Sequence, residues 1–113
     1  MNISEERLGD QLVKINLSGR MDVEGVGLIE TRLAGMTASP RNAIIVDMSA
    51  VPFMASIGIR ALLLNAKAVG KRGGKLVLLN PDQHVRSVLA SSGVDQLIPV
   101  CTGLEEAMAK VAP

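Results

Sequence analysis

Between Ile44 and Leu64 the sequence IIVDMSAVPFMASIGIRALLL passes from a β-branched run that ends at an acid, through a short loop, into a run of helical periodicity. No other stretch limits the possible folds as strongly. Ile44, Ile45 and Val46 read as a buried strand, whereas Ile59, Leu62, Leu63 and Val69 recur at helical spacing with Ala61, Ala66 and Ala68 among them. A strand followed directly by a buried helix is the first half of a β-α-β unit, and its connecting loop lies at one end of a sheet. Ser56 stands at that junction. Its hydroxyl can cap the helix, or carry a phosphate where the unpaired backbone N–H groups of the first turn point outward.

With 113 residues the chain is expected to form a single domain over 1–113, long enough for one core and too short for two. Hydrophobic residues make up 48% of it, yet Phe53 is the only aromatic, so Leu, Ile, Val, Ala and Met must fill the layers between helix and sheet. Twelve basic and eleven acidic residues leave a formal charge of +1, which gives no electrostatic reason to expect a nucleic-acid partner or a membrane surface. The single Cys101 cannot close an internal disulfide, and no Cys and His spacing suits zinc, so no metal or cofactor is expected. The stretch MNISEERLGDQLVK lacks a signal-like apolar core, and no apolar run nears the roughly 20 residues that cross a bilayer. The expectation is a cytoplasmic protein with no direct membrane insertion, which a membrane complex could recruit through a partner.

The remaining elements follow from periodicity and punctuation. Residues 2–8 predict a weak strand, Gly9 and Asp10 a turn, and Leu12, Val13, Ile15 and Leu17 a second strand ending at Ser18 and Gly19, which together make a hairpin. After Asp22, the residues Val26, Ile29 and Leu33 predict a first helix that decays through Gly35 to Ser39 and Pro40. A strand over 43–48 and a second helix over about 56–69 come next, closed by Gly70, Gly73 and Gly74. Lys75 to Leu79 predict another strand, Pro81 a place at or near the first position of a third helix running to about Ala90, and Ser91, Ser92 and Gly93 its end. A short strand near 97–100 and a last helix over about 104–111 complete the order β, β, α, β, α, β, α, β, α. This predicts an α/β fold, a small mixed and mostly parallel sheet packed with about four helices, in which the N-terminal hairpin supplies an antiparallel edge.

Residues suited to catalysis are few. His84 falls on what reads as a solvated helix face, and Cys101 follows a short apolar strand where a small buried residue fits, so a Cys and His nucleophilic pair is not expected. The run GKRGGK lacks the GxxxxGK(S/T) spacing and the strand-loop-helix order of a phosphate loop, and reads as a helix stop followed by a tight turn, with Lys71, Arg72 and Lys75 complementing the negative helix end. Asp22 can cap the first helix, and it also follows the second strand as Ser56 follows the third. Both therefore belong to one rim of the sheet. Gly58, just inside the second helix, leaves room for another backbone, and Met54, Ile57 and Ile59 either join the core or offer a partner an apolar patch.

VDMSAVPFMASIGIRALL, together with GRMD before the first helix and GGKLVLLNP at the later strand, resembles the signature of STAS domains, in particular the bacterial anti-sigma factor antagonists. The resemblance spans essentially the whole chain. It implies a family motif D-S-(S/T)-G-(L/I) whose first serine, phosphorylated by an anti-sigma factor that is also a serine kinase, falls on Ser56, while the family's acidic residue at the end of the second strand falls on Asp22. The implied partner-binding residues are Asp22, Met54, Ala55, Ser56, Ile57 and Gly58. The implied cycle is partner switching: the unphosphorylated antagonist holds the anti-sigma factor, phosphorylation releases it, and a serine phosphatase restores it. Ala55 replaces the motif's aspartate and Ile57 its second hydroxyl residue. Those two departures motivate an alternative, a nonphosphorylated STAS scaffold subunit of a lipid-transport ATPase or a sensory complex.

Overall fold

The computed structural model describes residues 1–38 and 40–112. Strand β1 (Asn2–Arg7) lies antiparallel to β2 (Leu12–Ser18), and β3 (Ala43–Ala50), β4 (Lys75–Leu79) and β5 (Val100–Cys101) follow in parallel, giving the sheet order β1-β2-β3-β4-β5. Each crossover after β2 carries a helix, namely α1 (Val23–Met36), α2 (Ser56–Lys71) and α3 (Gln83–Ser91), and α4 (Leu104–Val111) follows β5. Side chains alternate across a strand. Ile44, Val46 and Met48 of β3 accordingly pack with Val26, Ile29, Leu33, Leu62, Val85 and Leu89 of α1 to α3, whereas Ile45 packs on the opposite face with Val77, Cys101, Ala107 and Val111 of α4. Three helices cover one face and one covers part of the other. Among the described residues no helix is long and apolar enough to cross a membrane.

Helix ends depart from the sequence expectations where side chains outcompete backbone propensity. The third helix starts at Gln83, two residues past Pro81, because the Asp82 carboxylate accepts the Val85 N–H at 2.8 Å and so takes the capping position. Removing this cap in Asp82→Ala is expected to lower stability by about 1 kcal/mol, read as a shift in the urea midpoint without a change in slope. The first helix stops at Met36, where Thr37 Oγ1 donates to Asn65 Oδ1 of α2 at 2.9 Å; Ser39, included in its predicted decay, lies outside the described residues. The second helix runs on to Lys71, with Gly70 inside its last turn.

The GKRGGK run is a helix stop, as its order implied. Gly73 takes φ +79°, and a Cβ on Gly74 would stand 2.5 Å from the Asn42 carbonyl oxygen, so the chain passes its neighbour at a distance only glycine allows. Arg72 alone among the three basic residues bonds to carbonyls at the end of α2, donating to Ala68 O at 3.3 Å and also to Arg41 O at 2.9 Å. Lys75 donates instead to Ala112 O, beyond α4. The strand expected near 97–100 forms later, at Val100–Cys101. A 3-10 turn at Val94–Gln96 and Pro99, which has no N–H to donate, occupy the intervening residues.

Candidate functional site

The loops after β2 and β3 emerge at the same end of the sheet and are tied together by backbone hydrogen bonds. Met21 N donates to Phe53 O at 2.9 Å and Ala55 N donates to Met21 O at 3.0 Å, forming a parallel bridge between Met21 and Met54. This brings Asp22 and Ser56, the heads of α1 and α2, onto one rim. Gly58 permits the approach: a Cβ there would stand 3.0 Å from Met21 Cβ and 3.1 Å from Met54 Cγ. The close neighbours of this glycine are thus the Met21 and Met54 side chains, while the nearest backbone atom, the Met21 carbonyl oxygen, would stand 3.4 Å from the Cβ, an ordinary contact.

Ser56 is not the helix cap. Ala55 occupies that position in extended conformation with no side-chain capping bond, and Ser56 is the first helical residue, exposed, with no hydrogen bond from its hydroxyl among the described residues. The Gly58 N–H turns back to the Ala55 carbonyl at 2.9 Å, but a methyl group accepts nothing, so among the described residues the Ser56 and Ile57 N–H groups are left to water or to an incoming acceptor. Asp22 does cap its helix, accepting Gly25 N–H at 2.8 Å. Its outer oxygen also lies 3.5 Å from Arg20 Nε.

Met54 is only 3% exposed, which corrects the choice left open for it: it supports the rim from below and offers no apolar surface. Gly58 is buried as well, Ile57 is half-buried against the core, and Ala55 is half-buried. The accessible part of the six expected contact residues is therefore Ser56, Asp22 and the edges of Ala55 and Ile57. Sequence reasoning missed what flanks them. The Phe53 ring is stacked on His84 with centroids 5.7 Å apart and planes 13° from parallel, while the Arg20 guanidinium carbon sits 4.1 Å from the centroid of the same ring. The only aromatic in the chain thus joins the β2–α1 loop, the β3–α2 loop and the head of α3. The signal was the placement of that one aromatic three residues before Ser56. His84 is exposed in the first turn of α3, whereas Cys101 is fully buried with Ala107 and Val111 of α4 on the opposite face of the sheet, so the two share no site.

Two aspartates are held below the usual carboxylate range. For Asp22 the Gly25 N–H is the main cause, against some burial and with help from Arg20; for Asp47, burial opposes ionisation but the Ser49 hydroxyl and N–H and the Lys14 ammonium at 3.3 Å prevail. A carboxylate depressed in the folded state stabilises the fold above its unfolded value, and that contribution is lost as pH falls through the folded value. Asp47→Asn is therefore expected to lower stability at neutral pH and to converge on the wild type well below pH of about 3.9. Urea titrations at the two pH extremes measure this, and a pH-independent difference would exclude it.

With this geometry in place, comparison with known proteins is decisive for the family. The sequence matches the STAS domain over residues 5–107. The chain belongs to the STAS domain family. Among its STAS relatives is BtrV of Bordetella bronchiseptica, named as a candidate anti-sigma factor antagonist and 28% identical over 109 residues, covering 96% of this chain and 93% of that protein. SpoIIAA, an anti-sigma factor antagonist solved in its unphosphorylated form, superimposes with a TM-score of 0.80 at 25% identity over 96% of this chain and 95% of that one; a Bacillus SpoIIAA, described as a cell fate determinant, has also been solved in the phosphorylated form. A Thermotoga maritima protein described as a candidate anti-sigma factor antagonist shares the fold, with a TM-score of 0.87 at 20% identity over 96% and 93% of the two chains. The STAS fold seen in these structures is the mixed sheet with four helices described above.

Proposed function

We propose that this STAS protein acts by reversible binding, as an anti-sigma factor antagonist whose partner is an anti-sigma factor with serine kinase activity. The docking surface in this reading is the rim formed by Asp22, Ala55, Ser56 and Ile57, with Met54 and Gly58 shaping it from beneath. Phosphorylation of Ser56 releases the partner and a serine phosphatase resets the cycle. The observation that carries the reading is the exposed, unengaged Ser56 hydroxyl at the first position of α2, on a loop held in place by the Met21–Met54 bridge. A phosphate there adds a charge of about −1.5 to −2 next to open helix N–H groups. Inside an interface the same dianion would meet desolvation and like-charge costs, so the modification favours release. No acid/base pair is asked to act, and the site works by binding without catalysis of its own. The test is to incubate the protein with ATP and its cognate kinase and map the phosphate by mass spectrometry. Phosphate on Ser56 is expected; phosphate elsewhere, or none, would remove the switch.

A second reading, a nonphosphorylated scaffold subunit of a lipid-transport ATPase or sensory complex, is favoured by one observation. Ala55 leaves the head of α2 without a side-chain cap and its first turn without an acid, so the carboxylate that the family motif places beside the serine is missing. A pull-down from native lysate separates the readings: a transporter ATPase without any kinase-like anti-sigma factor supports the scaffold.

A further inference from the structure

The rim around Ser56 is too small to hold a partner by itself. Ser56 is exposed, but Asp22, Ala55 and Ile57 are half-buried and Met54 and Gly58 are buried, whereas a standard interface takes about 800 Å² and roughly 20–30 residues from each side. A partner that docks on Ser56 therefore reaches onto a neighbouring surface. Met21 and Met54, joined by the parallel bridge, are buried. Side chains alternate along extended chain, so the residues beside them, Arg20 and Asp22 on one segment and Phe53 and Ala55 on the other, stand on the outer side. From Phe53 that outer side continues to the head of α3, where the exposed His84 ring stacks on the phenyl ring.

We propose that the Arg20, Phe53 and His84 stack is the anchoring half of the partner surface, and that it receives a carboxylate-bearing segment of the anti-sigma factor. The proposal rests on the anti-sigma factor reading of the Ser56 rim. The stack is ordered in advance: the Arg20 guanidinium carbon lies 4.1 Å from the Phe53 centroid, and the His84 ring is 5.7 Å away in a nearly parallel plane. Little side-chain freedom is then left to lose on binding. It is also open outward, with the Arg20 side chain 61% exposed. Arginine and aromatic side chains carry much of the energy of interfaces that cover them, and the one aromatic of this chain stands here, outside an aliphatic core. The nearby carboxylates are directed elsewhere. Asp22 and Asp82 each accept a backbone N–H at the head of their own helix. The outer oxygen of Asp22 stands 3.5 Å from Arg20 Nε, which leaves the terminal amino groups of the planar fork to a carboxylate of the partner. A phosphate on Ser56 lies on the same rim as that incoming carboxylate, so repulsion between like charges favours release.

Calorimetric titration with the anti-sigma factor that phosphorylates Ser56 tests this on the full chain. Arg20→Ala and His84→Ala should each weaken binding at least about tenfold. Arg20→Lys should weaken it as well, because it keeps the charge but loses the planar fork and the stack. Arg86→Ala is the control, a cation exposed on α3 two residues beyond His84 and so turned to another side of the helix; it should bind as the wild type does. All four changes fall on exposed side chains, so the fold is expected to stand, with the circular dichroism spectrum unchanged. Phosphorylation kinetics add a readout that a merely structural role would not move. Loss of a docking contact raises the KM for this chain as substrate and leaves kcat at Ser56 unchanged. Arg20→Ala and His84→Ala proteins that bind like the wild type, while Ser56→Asp still weakens binding, overturn the proposal and leave the switch in place. An Arg86→Ala protein as impaired as Arg20→Ala also overturns it, since binding would then follow net charge. A wild type that binds no such kinase removes the anti-sigma factor reading and this surface with it.

Discussion

Gly25→Ala lowers the stability of the fold by about 3 kcal/mol or more, although alanine is the better helix former by about 1 kcal/mol. The reason is a backbone contact. Gly25 is the third residue of α1, and a Cβ there would stand 2.0 Å from the Arg20 carbonyl oxygen, 2.9 Å from Met1 Cγ and 3.1 Å from Asp22 Oδ1. The Met1 side chain can rotate away; the Arg20 carbonyl belongs to the turn that enters the helix and moves only if the turn does. Opening that turn pulls Asp22 from the Gly25 N–H and shifts Met21, whose N–H and carbonyl hold the Ser56 loop. Stability and the geometry of the rim should therefore fail together. Gly27→Ala is the control: nothing lies within 4 Å of its Cβ position on the same helix, so the propensity gain of roughly 0.5–1 kcal/mol should appear undiminished. Urea midpoints for the two variants should move in opposite directions, and a Gly25→Ala protein as stable as the wild type would contradict the contact.

That contrast also shows what the sequence could and could not convey. Strand and helix order was legible because it rests on local periodicity: β4 and α4 fall on the residues their apolar spacing predicted, and Asp22 caps α1 as an aspartate before such a run should. Contacts between loops leave no period. The bridge from Met21 to Met54 decides that Met54 is buried, and it joins residues more than thirty apart. The stack of Arg20, Phe53 and His84 likewise gathers three separate loops and helix heads onto one ring. At Ser56 the difficulty was a shift of one position. Serine is a preferred cap, but here the extended residue is Ala55, and that displacement turns Ser56 from a residue occupied by its own backbone into one whose hydroxyl is free. The rim was legible as a place; the accessibility of its members depended on tertiary pairing.

If Ser56 is the switch, Ser56→Asp weakens binding of the anti-sigma factor partner about tenfold, and the true phosphoserine weakens it about a hundredfold, a loss of about 2.8 kcal/mol for the phosphoserine at 1.4 kcal/mol per decade. Ser56→Ala leaves binding intact. The structure separates these effects from damage to the fold. The Ser56 hydroxyl holds no hydrogen bond among the described residues, so removing it deletes no contact, and a carboxylate in the first turn of α2 is favoured by the helix dipole by about 0.3–1 kcal/mol. The Asp variant should thus unfold no earlier than the wild type while binding its partner less well. Its defect must be smaller than that of the phosphate because it carries one charge in place of nearly two. The rim already holds Asp22, only partly compensated by Arg20 at 3.5 Å, so a second anion raises the local negative charge that a docking surface must desolvate. Calorimetric titration of both folded variants with the partner decides the matter. Equal affinities would mean that charge at Ser56 is not what the partner reads, and would leave the rim as a constitutive contact of a scaffold.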